Sequence, residues 1–274
     1  MRLRITHQIA YSYAAPAARL IQNLRLTPRG HDGQYIVAWR IDVDRDCRLE
    51  LLADPLGNVA HSFSVDGPVE SILITAEGEV ETQEMQGVVR GQFEPLPETV
   101  FTRETPLTMP DAAIRAHADA ALKASDGSPL DFLHALMHAT HDRMAFDPDV
   151  SATGTPAAEA FAAGRGVCHD FAHVFIGAAR HAGVPARFVS GYVHREPSQE
   201  APADRLALHS WAEARVEGLG WVGFDSTEAV CPTENYVRLA IGLDHLGASP
   251  IRGFRYGGAG EALRITATAG PVRR

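Results

Sequence analysis

The sequence lacks long apolar runs and an excess of basic residues. No stretch approaches the roughly 20 apolar residues of a membrane-spanning helix, and the first residues alternate between polar and apolar instead of forming a signal peptide. We therefore expect a cytoplasmic protein with no membrane partner. The 34 acidic residues outnumber the 25 basic ones and give a net charge of −9, so no nucleic-acid partner is expected either.

Cysteine is scarce and unpaired. The three cysteines, Cys47, Cys168 and Cys231, are widely spread and form no Cys-x-x-Cys pair. This pattern is typical of reduced thiols and argues against a disulfide framework. Each cysteine therefore needs its own explanation.

The composition is that of a packed protein with room for two domains. The chain has 274 residues, of which 45% are hydrophobic, 22% charged and 7% aromatic, and domains typically hold roughly 100 to 200 residues. A polar, proline-containing run over residues 86–110 is typical of a connection between domains. We predict an N-terminal domain over residues 1–100 and a second domain over residues 101–274.

The N-terminal domain is predicted to be antiparallel β structure. Apolar and polar residues largely alternate in short segments separated by turns, such as residues 54–58. The strand candidates are LRITHQIAYSY, ARLIQNLRLTPR, QYIVAWRIDVD, NVAHSFSVDG and SILITAEGEVET. Short strands without a helical period predict an antiparallel β-sandwich.

The second domain is predicted to place its helices before its strands. Helical segments are expected over residues 111–123, 128–146, 157–163 and 168–181. The first two have capping residues at their starts, Asp111 and Ser128. Strand patterns follow in residues 186–194, 209–218 and 221–227. This order predicts an α+β fold with segregated layers.

Cys168 is predicted to lie in the first turn of a helix, directly after the glycine-containing loop GRGV. At this position the helix dipole and unpaired backbone N–H groups favour the thiolate and lower the pKa of the thiol from its usual ~8.5. The same amides can bind a developing oxyanion. A lone cysteine is more often a small buried residue, so its place at the helix start is what makes Cys168 a candidate nucleophile.

His209 and Asp225 are the candidate partners of Cys168, because a thiol nucleophile needs a base and the base needs an orienting group. His209 opens a predicted strand and Asp225 lies on the next one, so both lie on one face of a hairpin. A turn at residues 218–220 leaves them several residues out of register, and contact then requires a bulge or strong twist. Glu213 is the alternative orienting residue.

Other side chains are candidate metal ligands or supporting residues. His169 and His173 have the i, i+4 spacing of a metal-binding helix. A second group shares one face of the preceding helix: His134, His138 and His141. We expect no functional metal at either place. Trp211, Trp221 and Tyr192 are candidates for the cleft wall, although core packing is the commoner fate of tryptophans in strands. Asp170 is a candidate for interaction with the helix dipole, Cys231 is a candidate spectator near the cleft, and Cys47 is expected in the core.

The chain contains GRGVCHDFAHVFIGAARHAGVPARFVSGYV followed by HSWAEARVEGLGWVGFDST. These segments closely resemble the bacterial transglutaminase-like family, a branch of the papain-like cysteine enzymes. LRLTPR, WRIDVD and DPLGN in front and NYVRLAIGLDHLGASPIRGFRYGG in the tail extend the resemblance over nearly the whole chain. It implies a papain-like core in which Cys168 is the nucleophile, His209 the general acid/base and Asp225 the residue that orients it. No metal or organic cofactor is implied.

The expected activity is cysteine-dependent acyl transfer on a peptide or carboxamide bond of a peptide or protein substrate. Water is the expected acceptor, as in a cysteine protease or amidase, and transamidation of protein glutamine is the alternative within the same chemistry. Two other classes stay open. One is a non-catalytic peptide-binding module, and the other is a metal-dependent hydrolase built on His169 and His173.

Overall fold

The computed structural model describes residues 1–92, 94–150, 154–196 and 207–272. In chain order the strands are β1 (Arg2–Thr27), β2 (Gln34–Val43), β3 (Glu50–Ala53), β4 (Val59–Thr82), β5 (Val88–Val89), β6 (Ala145–Phe146), β7 (Arg165–Gly166), β8 (Ala186–Val193), β9 (Leu208–Val216), β10 (Gly220–Phe224), β11 (Tyr236–Gly242), β12 (Ile251–Tyr256) and β13 (Ala259–Pro271). The helices are α1 (Ala112–Ala124), α2 (Pro129–Arg143), α3 (Ala157–Ala163), α4 (Cys168–His181) and α5 (His245–Ala248), with a 3-10 turn at Glu98–Thr102. No described helix is long and apolar enough to cross a membrane.

The first sheet is organised by β1 and β4, which pair antiparallel over nearly their full lengths. Alternate residues at the start of β1 are buried, among them Leu3, Ile5 and Ile9, as the two-residue period of a strand requires. The antiparallel structure predicted for this region is confirmed, but the short strands merge in pairs into β1 and β4. The reason is that the irregular pairing between Ser12 and Arg19 interrupts the register without reversing the chain.

The end of the chain completes the first sheet. β12 and β13 both pair antiparallel with β1, and Ile9, for example, lies opposite Ile265. β5, from the first hundred residues, pairs instead with β10. The predicted boundary between residues 100 and 101 therefore does not separate the two sheets, because pairing between distant segments leaves no local mark in the sequence.

The second sheet has the strand order β11–β8–β9–β10–β5, with every pair antiparallel. α4 packs against β8 and β9, and α1 and α2 pack against α4. Every residue from Asp170 to Arg180 is buried, which makes α4 the central helix of the core. Asp111 and Ser128 cap α1 and α2 as predicted. The α+β fold with helices before strands is thus confirmed.

Two amide side chains join the sheets at β11, the edge strand of the second sheet. Gln34 donates to the carbonyl oxygen of Arg238 at 2.9 Å and accepts from its N–H at 2.7 Å. Asn58 makes the same pair of bonds with Ile241, at 2.9 and 2.8 Å. These bonds satisfy backbone groups that an edge strand leaves unpaired, and they fix β11 against the first sheet.

Candidate active site

Cys168 is the first residue of α4 and directly follows the N-cap residue, Val167. The buried carboxylate of Asp170 accepts a hydrogen bond from the Val167 backbone N–H at 2.9 Å. Gly166 leaves space for that carboxylate, since a Cβ there would lie 2.6 Å from Asp170 Oδ2. The loop therefore holds the thiol at the helix N-terminus, where the dipole favours negative charge.

His209, near the start of β9, connects the thiol to a carboxylate. Its Nε2 lies 2.6 Å from Asp225 Oδ2, and the interaction of its ring with Cys168 raises its pKa. Because Asp225 engages Nε2, Nδ1 is the ring nitrogen left to exchange a proton with the sulfur. Asp225 also accepts hydrogen bonds from the Tyr236 hydroxyl at 2.8 Å and the Thr227 backbone N–H at 2.9 Å. The structure thus brings together the three predicted site residues.

The register of the β9–β10 hairpin explains the contact between His209 and Asp225. Phe224 pairs with Ala212, so the next residue, Asp225, lies opposite Trp211. His209 lies on the same face of β9, two residues before Trp211. Diagonal neighbours of this kind are within side-chain reach. The predicted need for a bulge or strong twist is wrong, because the turn lies one residue earlier in the chain than residues 218–220.

Opposite charges stabilise one another in this buried site. Burial alone raises the pKa of Cys168, but hydrogen bonds to His209 and Ser210 bring that pKa below its ordinary value. Burial lowers the pKa of His209, but Asp225 and Cys168 outweigh it and raise the pKa to about 9. Burial also opposes ionisation of Asp225, yet His209 keeps the pKa of that carboxyl below its usual value. The site therefore favours a thiolate beside an imidazolium.

Cys168 and His209 open into a cleft of about 440 Å³ between the two sheets. The core supplies one side, including Ser190 and Leu208. The first sheet supplies the other side with residues from β1 and β13: His7, Ile9, Tyr11, Leu263 and Ile265. Most of these side chains are apolar, so the cleft offers an apolar surface beside a polar pair of reacting groups.

Glu213, the alternative orienting residue, is occupied elsewhere. It is fully buried between Arg187 and Arg238, and the Nε atom of each lies 2.6 Å from one of its carboxylate oxygens. These two cations outweigh burial and lower the pKa of Glu213 to about 2. Glu213 therefore belongs to a buried ion cluster and does not orient His209.

The three aromatic candidates for the cleft wall lie in different surroundings. The Trp211 ring is stacked 6.4 Å from the His209 ring, so Trp211 borders the site. Trp221 lies under the guanidinium of Arg187, which is 3.8 Å from the ring centroid, and is part of the core. Tyr192 is fully buried behind the cleft wall.

The other two cysteines do not line the Cys168 cleft. Cys231 packs against Gly87, where a Cβ would come within 2.9 Å of the cysteine Cβ, and burial raises its pKa to about 11. Cys231 therefore packs beside Gly87 and does not line the cleft. Cys47 packs, half-buried, against the core, as expected.

The histidines considered as metal ligands have other contacts. His173 is fully buried, and its Nε2 accepts a hydrogen bond from the His245 backbone N–H at 3.0 Å. The rings of His169 and His173 are 6.1 Å apart. On α2, His141 Nδ1 lies 3.1 Å from the carbonyl oxygen of Thr227. Among the residues that the structure describes, no three His, Cys, Asp or Glu side chains are grouped to hold a metal ion.

The sequence did not identify Tyr236 as a site residue, and it indicated for Asp170 only an interaction with the helix dipole. Tyr236 is the first residue of β11, and Asp225 directly follows β10. Two strands separate β11 from β10 in the sheet, so no local pattern could indicate the hydrogen bond between Tyr236 and Asp225. Asp170 stands three residues after Val167, the spacing of a capping box. That spacing could have indicated that Asp170 fixes the loop before Cys168.

Comparisons with known proteins find relatives of both parts of the chain. The family model of the transglutaminase-like superfamily matches residues 116–226, and that of the bacterial transglutaminase-like N-terminal region matches residues 3–81. An uncharacterised protein of Mycobacterium leprae is 28% identical over 268 residues, covering 94% of both chains. One from Mycobacterium tuberculosis is 26% identical over 277 residues, covering 93% of this chain and 88% of its own.

A solved structure shares the fold. A candidate cysteine protease from Cytophaga hutchinsonii superimposes with a TM-score of 0.76 at 17% sequence identity, covering 100% of this chain and 92% of its own. Each part of the chain matches a transglutaminase-like model, and the superposition spans both sheets. The chain thus belongs to the bacterial transglutaminase-like family, with a transglutaminase-like core and the family's N-terminal β region.

Proposed function

We propose that the protein catalyses acyl transfer from a peptide or carboxamide bond through a thioester on Cys168. The observation that carries this proposal is the position of Cys168 at the start of α4, in one cleft with His209, whose Nε2 lies 2.6 Å from Asp225 Oδ2. A thiol at a helix N-terminus, paired with an oriented imidazole, is the arrangement of an activated cysteine nucleophile.

The reaction begins with attack of the Cys168 thiolate on the carbonyl carbon. A carbon–sulfur bond forms, and the negative charge moves to the carbonyl oxygen, where backbone amides at the start of α4 stabilise it. His209 then gives its Nδ1 proton to the nitrogen as the carbon–nitrogen bond breaks and the amine leaves. Asp225 keeps the ring oriented and stabilises its positive charge.

Water resolves the thioester in the hydrolytic reaction that we propose. Neutral His209 takes a proton from the water as it attacks, the carboxylic acid is released, and the thiolate–imidazolium pair is restored. The family resemblance supports this choice, together with the cysteine protease description of the Cytophaga hutchinsonii neighbour. If an amine attacks in place of water, the same intermediate leads to transamidation. Product analysis with and without an added primary amine separates the two outcomes.

The first test is the rate of Cys168 alkylation by iodoacetamide as a function of pH, with the modified site identified by peptide mass. We expect the wild-type rate to stay high below about pH 7 and to collapse in His209→Ala. His181→Ala is the matched control, because it removes an imidazole from the end of α4 that is far from Cys168. An ordinary thiol profile, unchanged in His209→Ala, would overturn the proposal and favour a peptide-binding module.

A further inference from the structure

The N-terminal sheet brings a buried histidine to the cleft. His7 on β1 is 1% exposed and lines the same cleft as Cys168. Its Nδ1 lies 2.9 Å from the Tyr192 hydroxyl oxygen, whereas its Nε2 is buried and has no hydrogen-bond partner among the described residues. Buried polar groups are almost always satisfied, so an unpartnered ring nitrogen beside a cleft indicates a missing partner.

The tautomer of His7 follows from its surroundings. Burial lowers the pKa of His7 to about 4, so the ring is neutral and carries a single N–H. Burial also raises the pKa of Tyr192, which therefore keeps its hydroxyl hydrogen. In the described part of the chain, His7 Nδ1 is the hydrogen-bond partner of that hydroxyl. The hydroxyl donates to Nδ1, and Nε2 then carries the hydrogen as an unused donor.

An apolar surface surrounds this donor on the first sheet. Ile9 and Tyr11 share the face of β1 on which His7 lies, and β13 places Ile265 opposite Ile9 and Leu263 opposite Tyr11. Leu263 and Ile265 are exposed, at 48% and 42%, although they belong to the wall of the cleft. Exposed apolar side chains of this kind are suited to an apolar side chain of a bound molecule.

We propose that His7 is a substrate-positioning residue whose Nε2–H binds a carbonyl oxygen of the peptide, while the β1–β13 surface binds a large apolar side chain next to the reacting bond. A neutral donor in an apolar surrounding suits an uncharged amide carbonyl better than a carboxylate, which would have to be desolvated. The proposal rests on the function proposed for Cys168. It assigns to the N-terminal β region a part in choosing apolar peptide substrates.

The test compares two peptide alkylating probes with iodoacetamide. Benzyloxycarbonyl-Leu-Leu and benzyloxycarbonyl-Gly-Gly chloromethyl ketones each form a sulfur–carbon bond to Cys168 as chloride leaves. We expect a KI for the Leu-Leu probe about tenfold lower than for Gly-Gly. In His7→Phe, the KI of the Leu-Leu probe should rise roughly fivefold to tenfold. The rate of Cys168 alkylation at saturating probe, and the rate with iodoacetamide, should stay within about twofold of the wild-type rates. His7→Gln, which keeps an N–H donor, should recover most of the affinity.

A second variant tests the same surface independently, in case His7→Phe fails to fold. Leu263→Ser changes an exposed residue of the wall and should raise the KI of the Leu-Leu probe without changing the iodoacetamide rate. Equal KI values for the two probes, or a His7→Phe variant that slows iodoacetamide as much as the peptide probe, would overturn the inference. An ordinary thiol profile of wild-type Cys168 would instead refute the proposed function itself, so the two failures are distinguishable.

Discussion

Cys168, His209 and Asp225 carry charges that depend on one another. Burial on its own would keep the thiol protonated and the imidazole neutral, and each partner reverses that effect on its neighbour. Loss of one partner should therefore change the protonation of the other two. The dependence of the reaction on pH therefore reports on all three charges.

We predict a bell-shaped dependence of kcat/KM on pH. The rising limb should lie below the ordinary thiol pKa, because His209 favours the thiolate. The falling limb should lie near pH 9, where His209 loses the proton that it gives to the leaving amine. The measurement is kcat/KM for a leucine-containing peptide amide from about pH 5 to about pH 10. A rate that still rises at the upper end would contradict the role of the imidazolium.

Asp225→Asn should move the falling limb to lower pH, because the carboxylate that raises the pKa of His209 is gone. It should also reduce kcat/KM at neutral pH by about 100-fold or more, since the ring loses its orienting charge. Asp119→Asn is a suitable control, because Asp119 is exposed and faces His181 at the other end of α4. An unchanged pH profile in Asp225→Asn would exclude the proposed role.

At the scale of the element, the loop before α4 sets the position of the thiol. Asp170 reaches back to the Val167 N–H, and it can do so because Gly166 has no side chain. The requirement here is space, because a Cβ at Gly166 would lie 2.6 Å from Asp170 Oδ2. Gly166 therefore allows Asp170 to pack against the loop at the start of α4.

Gly166→Ala should destabilise the protein by roughly 1–3 kcal/mol, the usual cost of forcing a side chain into a filled space. It should also lower the alkylation rate of Cys168, because Asp170 must move away from the Val167 N–H. Gly270→Ala is the control, since a Cβ there meets no atom within 4 Å. Urea unfolding and alkylation measure the two effects, and a Gly166→Ala variant indistinguishable from Gly270→Ala would contradict this reading.

Local sequence signals predicted some features of these elements and not others. Helix boundaries followed from local signals, and α4 begins at Cys168 and α3 ends before Gly164 as predicted. The three site residues could be named from motif resemblance and from the helix start. The contact between His209 and Asp225 could not be derived, because a shift of one residue in the hairpin turn changes which side chains are diagonal neighbours.

At the scale of the whole molecule, segments far apart in the chain are joined by buried polar groups. Glu213 binds Arg187 and Arg238, and Arg187 Nη1 also lies 2.9 Å from Glu94 in the connection between the sheets. The return of β12 and β13 to β1 is equally non-local. Periodicity reports which face of a strand is buried, but not which strand it pairs with, so the sequence could not predict these links.

Loss of stability in acid should follow from the ion cluster around Glu213. Its pKa is about 2 in the folded protein against an ordinary 4.5, so it stabilises the fold above its unfolded pKa and loses that effect as the pH falls toward 2. The difference corresponds to roughly 3 kcal/mol. The free energy of unfolding should therefore fall between about pH 5 and pH 2, as measured by urea unfolding.

Glu213→Gln should be destabilised by about 3–5 kcal/mol at neutral pH, because two buried cations lose the carboxylate that they share. Its free energy of unfolding should also depend less on pH in the acid range. Glu98→Gln, which removes an exposed partner of Arg215, should change stability by less than about 1 kcal/mol. Equal effects of the two substitutions would contradict the assigned role of the cluster.

Capture of the acyl-enzyme tests directly whether Cys168 carries the acyl group. The protein is mixed with benzyloxycarbonyl-leucine p-nitrophenyl ester, quenched in acid, and its mass is measured intact and after digestion. We predict a burst of about one p-nitrophenolate per chain and one acyl group on the peptide that contains Cys168, absent in Cys168→Ala and released by hydroxylamine. No burst, or an acyl group on another residue, would contradict the account.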